Sequence, residues 1–164
     1  MPKSMRSFRK PRRRNRRGAT LVEFAIVGPI VLLFLIGFAI LSMAVYRYQQ
    51  IAHLAREGAR YASSHGAQYR ADHHLAAGSA TSWTQEIRDQ AVLPKSTVLN
   101  PSKLAVAANW SAGNNRANPG NPATGFTTTV NNQVTVTVSY QWIPEGYLAG
   151  PYTLTSTAAV PMTY

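Results

Sequence analysis

The sequence predicts an α+β protein in which a long N-terminal helix leads into a small head. The head holds one short helix and a three- or four-stranded antiparallel sheet. Three observations carry this reading. Phe24 to Val45 is a run of 22 residues without a charge. Tyr46 to Ser64 continues in helix-forming residues with no proline. Val134, Val136, Val138, Tyr140 and Trp142 alternate with Thr135, Thr137, Ser139 and Gln141, the period-two pattern of a strand buried on one side.

The N-terminal region is organised by charge. Residues 1 to 17 hold nine of the seventeen basic side chains and no acid, so the net charge of +11 belongs mostly to this segment. Beyond Gly18 there are eight basic and six acidic residues, a net of +2. A basic tail can bind nucleic acid through phosphates, but this one abuts an apolar run directly. Lys and Arg retained on the cytoplasmic side explain it better, with the C-terminal side translocated; no nucleic-acid partner is expected.

As a helix, the 22-residue run reaches about 33 Å, enough to cross roughly 30 Å of hydrocarbon. The apolar core of an ordinary secretory signal is only about 7–15 residues. Ser42-Met43-Ala44 still offers a small-x-small site that a conventional signal peptidase could cut. Gly28, Pro29 and Gly37 suit a membrane helix, where glycine and proline are more frequent than in soluble helices, and they are candidates for close helix packing.

The second half of the helix is amphipathic. Ile51, Leu54, Ala55, Gly58, Tyr61 and Ala62 follow i, i+3, i+4, i+7 spacing and form one narrow apolar face. Arg56, Glu57 and Arg60 take the polar remainder. The small residues Ala55, Gly58, Ala59 and Ser63, with Tyr61 beside them, are candidates for stalk packing. Gly66 is a plausible stop. The whole helix, Ala19 to Ser64, would be about 69 Å long if straight. The expected organisation is a leader over 1–18, a transmembrane and stalk helix over 19–64, and an extracytoplasmic head over 65–164. Roughly 100 residues suffice for one small core. With no cysteine in the chain there is no disulfide framework.

In the head, Ala67 to Ala80 reads as a polar connector. Ser82 is a candidate N-cap, with Gln85 completing a capping box, for a helix that runs to about Val92 and stops before Pro94. Its Trp83, Ile87 and Ala91 share a face. Lys103 to Trp110 is a candidate strand. Phe126 to Val130 is expected to pair with the valine-rich strand across a turn at Asn131-Asn132, and Tyr152 to Val160 is the last strand. Ser111 to Gly125 is a long loop of Asn, Gly, Pro and Ala, either an exposed contact tip or disordered.

No catalytic constellation appears. Asp72-His73-His74 has metal-ligand residue types but no accompanying ligand spacing. His53 and His65 lie on different helix faces. There is no G-x-S-x-G setting, phosphate loop or G-x-G-x-x-G motif. Asn109-Trp110-Ser111 matches a glycosylation sequon by its short pattern alone. The expectation is a chain that is not an enzyme, with no cofactor, metal or small-molecule substrate.

Two motifs carry a family resemblance. The junction R-R-G-A-T-L-V-E-F, Arg16 to Phe24, resembles a class III, type IV-pilin-like signal, in which a prepilin peptidase cuts after the glycine. With A-R-E-G-A-R-Y-A, Ala55 to Ala62, following G-A-T-L-V-E-F-A-I-V-G-P, Gly18 to Pro29, the chain resembles the TadE-like family. That family comprises minor pilins, or pseudopilins, of the Flp/Tad tight-adherence system. The resemblance covers roughly residues 16 to 64. It implies cleavage between Gly18 and Ala19, a pilin-like fold, residence in a bacterial inner membrane with the N-terminus cytoplasmic, and possible entry into a surface pilus. The implied partners are a prepilin peptidase, other pilins, the Tad assembly platform and the lipid bilayer. Major Flp pilins are essentially one helix, so the extra hundred residues argue against the major subunit. Glu23 has two readings. It could be an interfacial carboxylate that reaches water, or, as in pilin-like proteins, a group that docks the new amine at Ala19 of a neighbouring subunit. A permanently anchored extracytoplasmic binding domain that never polymerises is the alternative function.

Overall fold

A computed structural model describes residues 17–118, 130–144 and 150–163. The leader up to Arg16 and residues Pro119 to Thr129 lie outside the described residues, as does most of the expected strand from Phe126 to Val130. The chain divides into two compact units, one ending at Ala39 and one spanning Ile40–Tyr164. Helix α1, Arg17–Ser64, runs from the first into the second. It begins two residues before the expected Ala19, within the ordinary uncertainty of a helix end.

In the first unit, α1 has described side chains exposed on every side, apart from a half-buried Gly28. Among the described residues, α1 is the one helix long and apolar enough to cross a membrane, and its apolar window has no buried residue. Pro29 sits inside it. Proline lacks an N–H and costs a helix about 3 kcal/mol or more in water, but membrane helices tolerate it because nearby groups restore the lost backbone partners.

The second unit is an α+β head. After α1 come α2 (Ala67–Asp72) and α3 (Ala80–Glu86). A π-helical turn over Ile87–Val92 and 3₁₀ turns over Leu93–Lys95 and Pro101–Lys103 follow. The strands are β1 (Leu104–Trp110), β2 (Ala117–Asn118), β3 (Val130–Asn131), β4 (Gln133–Trp142) and β5 (Tyr152–Pro161). The main sheet is antiparallel, in the order β1-β4-β5. Its register runs from Leu104↔Tyr140 to Trp110↔Val134 on one side of β4, and from Gln133↔Pro161 to Trp142↔Tyr152 on the other. The alternation in β4 does what period two requires: Val134, Val136 and Val138 have no exposed surface, and Tyr140 and Trp142 are buried with them. These residues join Ile51, Leu54, Ala55, Ala59 and Ala62 of α1 in one core. Each fully buried aliphatic side chain contributes about 1.5–3 kcal/mol.

Three expectations are corrected. The neighbours of β4 are β1 and β5, and Asn131-Asn132 is not a turn leading into it. Val130–Asn131 instead pairs with Ala117–Asn118 in a separate two-stranded ladder. Asn132 is 1% exposed and cannot be a turn tip. Its N–H donates to Arg116 O, its carbonyl accepts from Met162 N, and its Nδ2 donates to Asn115 O.

The cap of α3 is Ser79, not Ser82. Ser79 Oγ accepts from Ser82 N at 3.3 Å, and Ser79 N donates to Ser82 Oγ at 2.8 Å. Ser82 therefore fills the third helical position of the capping box. Two serines three residues apart make either assignment legible, and the structure selects the earlier one.

The connector over 67–80 is not plain loop, because α2 occupies its first half. Ala67 N donates to Asn114 O, and Gln68 N donates to Asn115 Oδ1. The long loop's first residues thereby satisfy backbone N–H groups that the start of α2 leaves without partners.

Candidate docking and anchoring residues

Gly18 and Glu23 are both exposed on α1. The helix already includes Gly18 and Ala19, and a Cβ built on Gly18 would meet nothing within 4 Å. Glu23 lies five residues past Gly18, with the charge-free stretch beginning immediately after it. At Gly37 an added Cβ would again meet nothing, and at Gly28 it would lie in ordinary contact with the Phe24 ring, at 3.8 Å. Nothing in the packing of this chain demands glycine at either position. With Pro29, they lie in the apolar half of α1.

The second set of sequence-singled residues is placed differently. Ala55, Gly58 and Ala59 are buried and Tyr61 is half-buried, all within the head. A Cβ on Gly58 would lie 3.2 Å from Val136 Cγ1, 3.3 Å from Val92 Cγ2 and 3.4 Å from Ile87 Cγ2. Gly58 is where the helix backbone approaches both the sheet and the π-helical turn. The small-residue stripe thus receives this chain's own β4 and the 87–92 turn.

Around Tyr61 the structure assembles a polar cluster. Tyr61 Oη donates to Glu86 Oε1 at 3.0 Å, and the other carboxylate oxygen of Glu86 pairs with Arg70. Arg70 Nε also donates to Ala76 O at 2.9 Å. Glu86 therefore joins α1, α2 and α3. Burial, and next the hydrogen bond to Glu86, push the Tyr61 phenol up to about 12. Tyr61 stacks on His65 at 3.9 Å, and His65, Tyr69 and His73 continue the column at 4.5 and 4.0 Å. Glu57 accepts from Lys95, with Arg60 Nη1 3.8 Å away. The hydrogen bond from Lys95 holds the Glu57 carboxyl below its ordinary value. Sequence reasoning missed both clusters. Tyr61 and Glu86 are 25 residues apart and Glu57 and Lys95 are 38 apart, and no local pattern links such positions.

Asp72 and His73 turn to separate partners. Asp72 Oδ1 accepts from Gln68 Nε2 at 3.0 Å, and His73 Nδ1 lies 2.9 Å from Tyr69 O. Among the described residues, no three His, Cys, Asp or Glu side chains come together to hold a metal ion. Of the Ser111 to Gly125 loop, the part up to Asn118 is tied to α2 and to β3, and the rest lies outside the described residues.

Fold and site together define a class: a small helix-backed α+β head whose first helix extends from a candidate single membrane span. The family model of TadE-like proteins matches residues 18–60. Over this stretch the chain is similar to TadE-like proteins, a likeness that supports a protein associated with the Tad pilus. The matched stretch ends within α1 and covers none of the sheet. No curated protein and no solved structure matches the chain.

Proposed function

We propose that this chain is a minor pilin, or pseudopilin, of a Flp/Tad adhesive pilus. A prepilin peptidase removes the leader after Gly18, and the apolar half of α1 holds the protein in the bacterial inner membrane with its N-terminus cytoplasmic and its head outside. Other pilins and the Tad assembly platform then take it up. The observation that carries this reading is the TadE-like match beginning at Gly18, with Glu23 alone as an acid ahead of 22 charge-free residues. A carboxylate at the centre of a bilayer costs about 2.5–3.5 kcal/mol on insertion scales, so an acid within a span calls for a partner. Cleavage after Gly18 creates one in the positive amine of Ala19 on a neighbouring subunit.

The first test is the N-terminal residue of the mature protein in purified cell envelopes. A start at Ala19 supports pilin-type processing. A start at Met1 overturns it and favours the permanently anchored, unpolymerised domain, and a start at Val45 indicates a secreted head. The second test is Glu23→Ala, which should be processed normally yet be missing from sheared pili. Normal incorporation would remove the role assigned to Glu23.

A further inference from the structure

The seam that α1 presents to the head does not end where the apolar run begins. Ile51, Leu54, Ala55, Ala59 and Ala62 are buried. Arg47, Ala44 and Ile40 continue the same stripe half-buried, with Ile40 and Ala44 packed against the core. Steps of three and four residues keep these positions on one helix face. Ile40 and Ala44 belong to the charge-free stretch, so the head covers one side of its last turns.

Strand direction identifies the part of the head that does so. Thr163 N donates to Ser63 O at 3.0 Å, and Val136 meets Gly58. From its start beside Pro161, β4 therefore runs back along α1 towards the apolar stretch. Trp142 is six residues beyond Val136, about 20 Å at 3.3 Å per residue. That distance corresponds to about 13 residues of helix and brings the end of β4 to the turns around Val45–Gln49. Trp142 pairs with Tyr152, their rings 6.4 Å apart. At this end Ile143 and Tyr152 are exposed, as are Tyr46 and Tyr48 on α1. Lys103 precedes Leu104, the partner of Tyr140, and so lies at the same end. With Arg47 it gives this base two cations.

We propose that this base of the head sits in the interfacial layer of the phospholipid bilayer, a membrane contact additional to the spanning helix. Tyrosine rings carry an apolar body and a polar tip and concentrate at headgroup depth. Lys and Arg reach phosphates while their stems cover apolar surface. Exposed Ile143 supplies apolar area that water disfavours. Continuity with the end of the span favours lipid as the occupant, because the same helix turns that carry Ile40 and Ala44 are packed by the head. The inference rests on reading the apolar half of α1 as a membrane span, and the experiment separates the two.

The chain has no cysteine, so Ile143→Cys in the full-length protein can be labelled at one site with an environment-sensitive fluorophore. Asn109→Cys, an exposed position near the opposite end of the sheet, is the control. Tyr152→Cys is the second reporter should Ile143→Cys melt differently from the parent by circular dichroism. Each is reconstituted in phosphatidylethanolamine–phosphatidylglycerol vesicles carrying a nitroxide lipid labelled near the headgroup. Protein that resists alkaline extraction, with the label at 143 or 152 blue-shifted and losing most of its emission while that at 109 keeps it, is the expected result. Alkali-resistant protein whose base and control labels behave alike would overturn the inference and leave the anchor standing. Release into the alkaline wash would overturn the anchor reading and this one with it.

Discussion

The two halves of α1 share one backbone geometry and differ in what surrounds it. From Gly18 to Ala39 the described side chains face outward on all sides except at half-buried Gly28, and most of them are apolar. From Ile40 to Ser64 one face is packed by the head, and the opposite face carries Gln49, His53, Arg56 and Arg60. A helix that is apolar all round offers no polar face to water, so it needs an apolar surrounding. An amphipathic helix needs a partner on one side only, and β4 supplies it. Apart from the bond that Pro29 cannot donate, both halves keep their interior backbone hydrogen bonds within the helix. The two halves are thus divided by composition and not by a break in the helix.

Removing equal apolar volume from each half should give the largest difference between them. Leu54→Ala should cost the head about 2–5 kcal/mol, read as a lowered urea midpoint. Leu33→Ala on the exposed half should leave that midpoint unchanged, and equal effects would erase the distinction. The reverse experiment places a charge in the first half. Ile30→Lys should oppose insertion by about 2.5–3.5 kcal/mol near the helix centre and lower the alkali-resistant membrane fraction, with the head's midpoint unaffected.

Glycine substitutions sharpen the same contrast. Gly58→Ala pushes a methyl group against Val136, Val92 and Ile87. Overpacking of about 1–3 kcal/mol is offset by roughly 1 kcal/mol of helix propensity, so a modest loss in thermal midpoint is expected. Gly37→Ala meets nothing within 4 Å and should cause no such loss.

The smallest effects belong to the polar clusters described around Tyr61 and Glu57, in the second half. Tyr61→Phe should cost about 1 kcal/mol through the lost hydrogen bond. Because folding raises the Tyr61 pKa from 10.0 to about 12, its contribution is whole below pH 10 and fades as pH rises towards 12. The variant's stability should decline less steeply across that window. Glu57 has the opposite sign: its folded pKa lies below 4.5, so its contribution is present above that value and lost as pH falls through the lowered one. Lys95→Met should flatten this acid limb slightly, because the pair faces water. Urea melts across the two pH ranges check both signs.

Much of this division was legible in the residues. The charge-free run, the amphipathic spacing after it and the Val/Thr alternation of β4 each have a period that one kind of element satisfies. The Gly18 junction and the A-R-E-G-A-R-Y-A stretch pointed to the family that residues 18–60 match. Placement was harder where two local solutions were equivalent. Ser79 and Ser82 both make good caps, and Asn131-Asn132 reads as a turn until Asn132 is found buried among backbone partners supplied by Asn115, Arg116 and Met162. The stripe at Ala55, Gly58 and Ala59 announced close packing without naming the neighbour, and within this chain the neighbour is its own sheet and the 87–92 turn.

From the sequence alone came the long helix, its apolar and amphipathic halves, and the alternating strand that became β4. These depend on local periodicity, side-chain hydration and charge, all of which act between near neighbours. The tertiary structure alone decided that β4 lies between β1 and β5, that Glu86 joins Tyr61 to Arg70, and that the head reaches back along α1 to Ile40. Those are contacts between residues far apart in the chain. Their energy comes from burying surfaces that become complementary only once the elements have formed, and no spacing along the sequence encodes that complementarity.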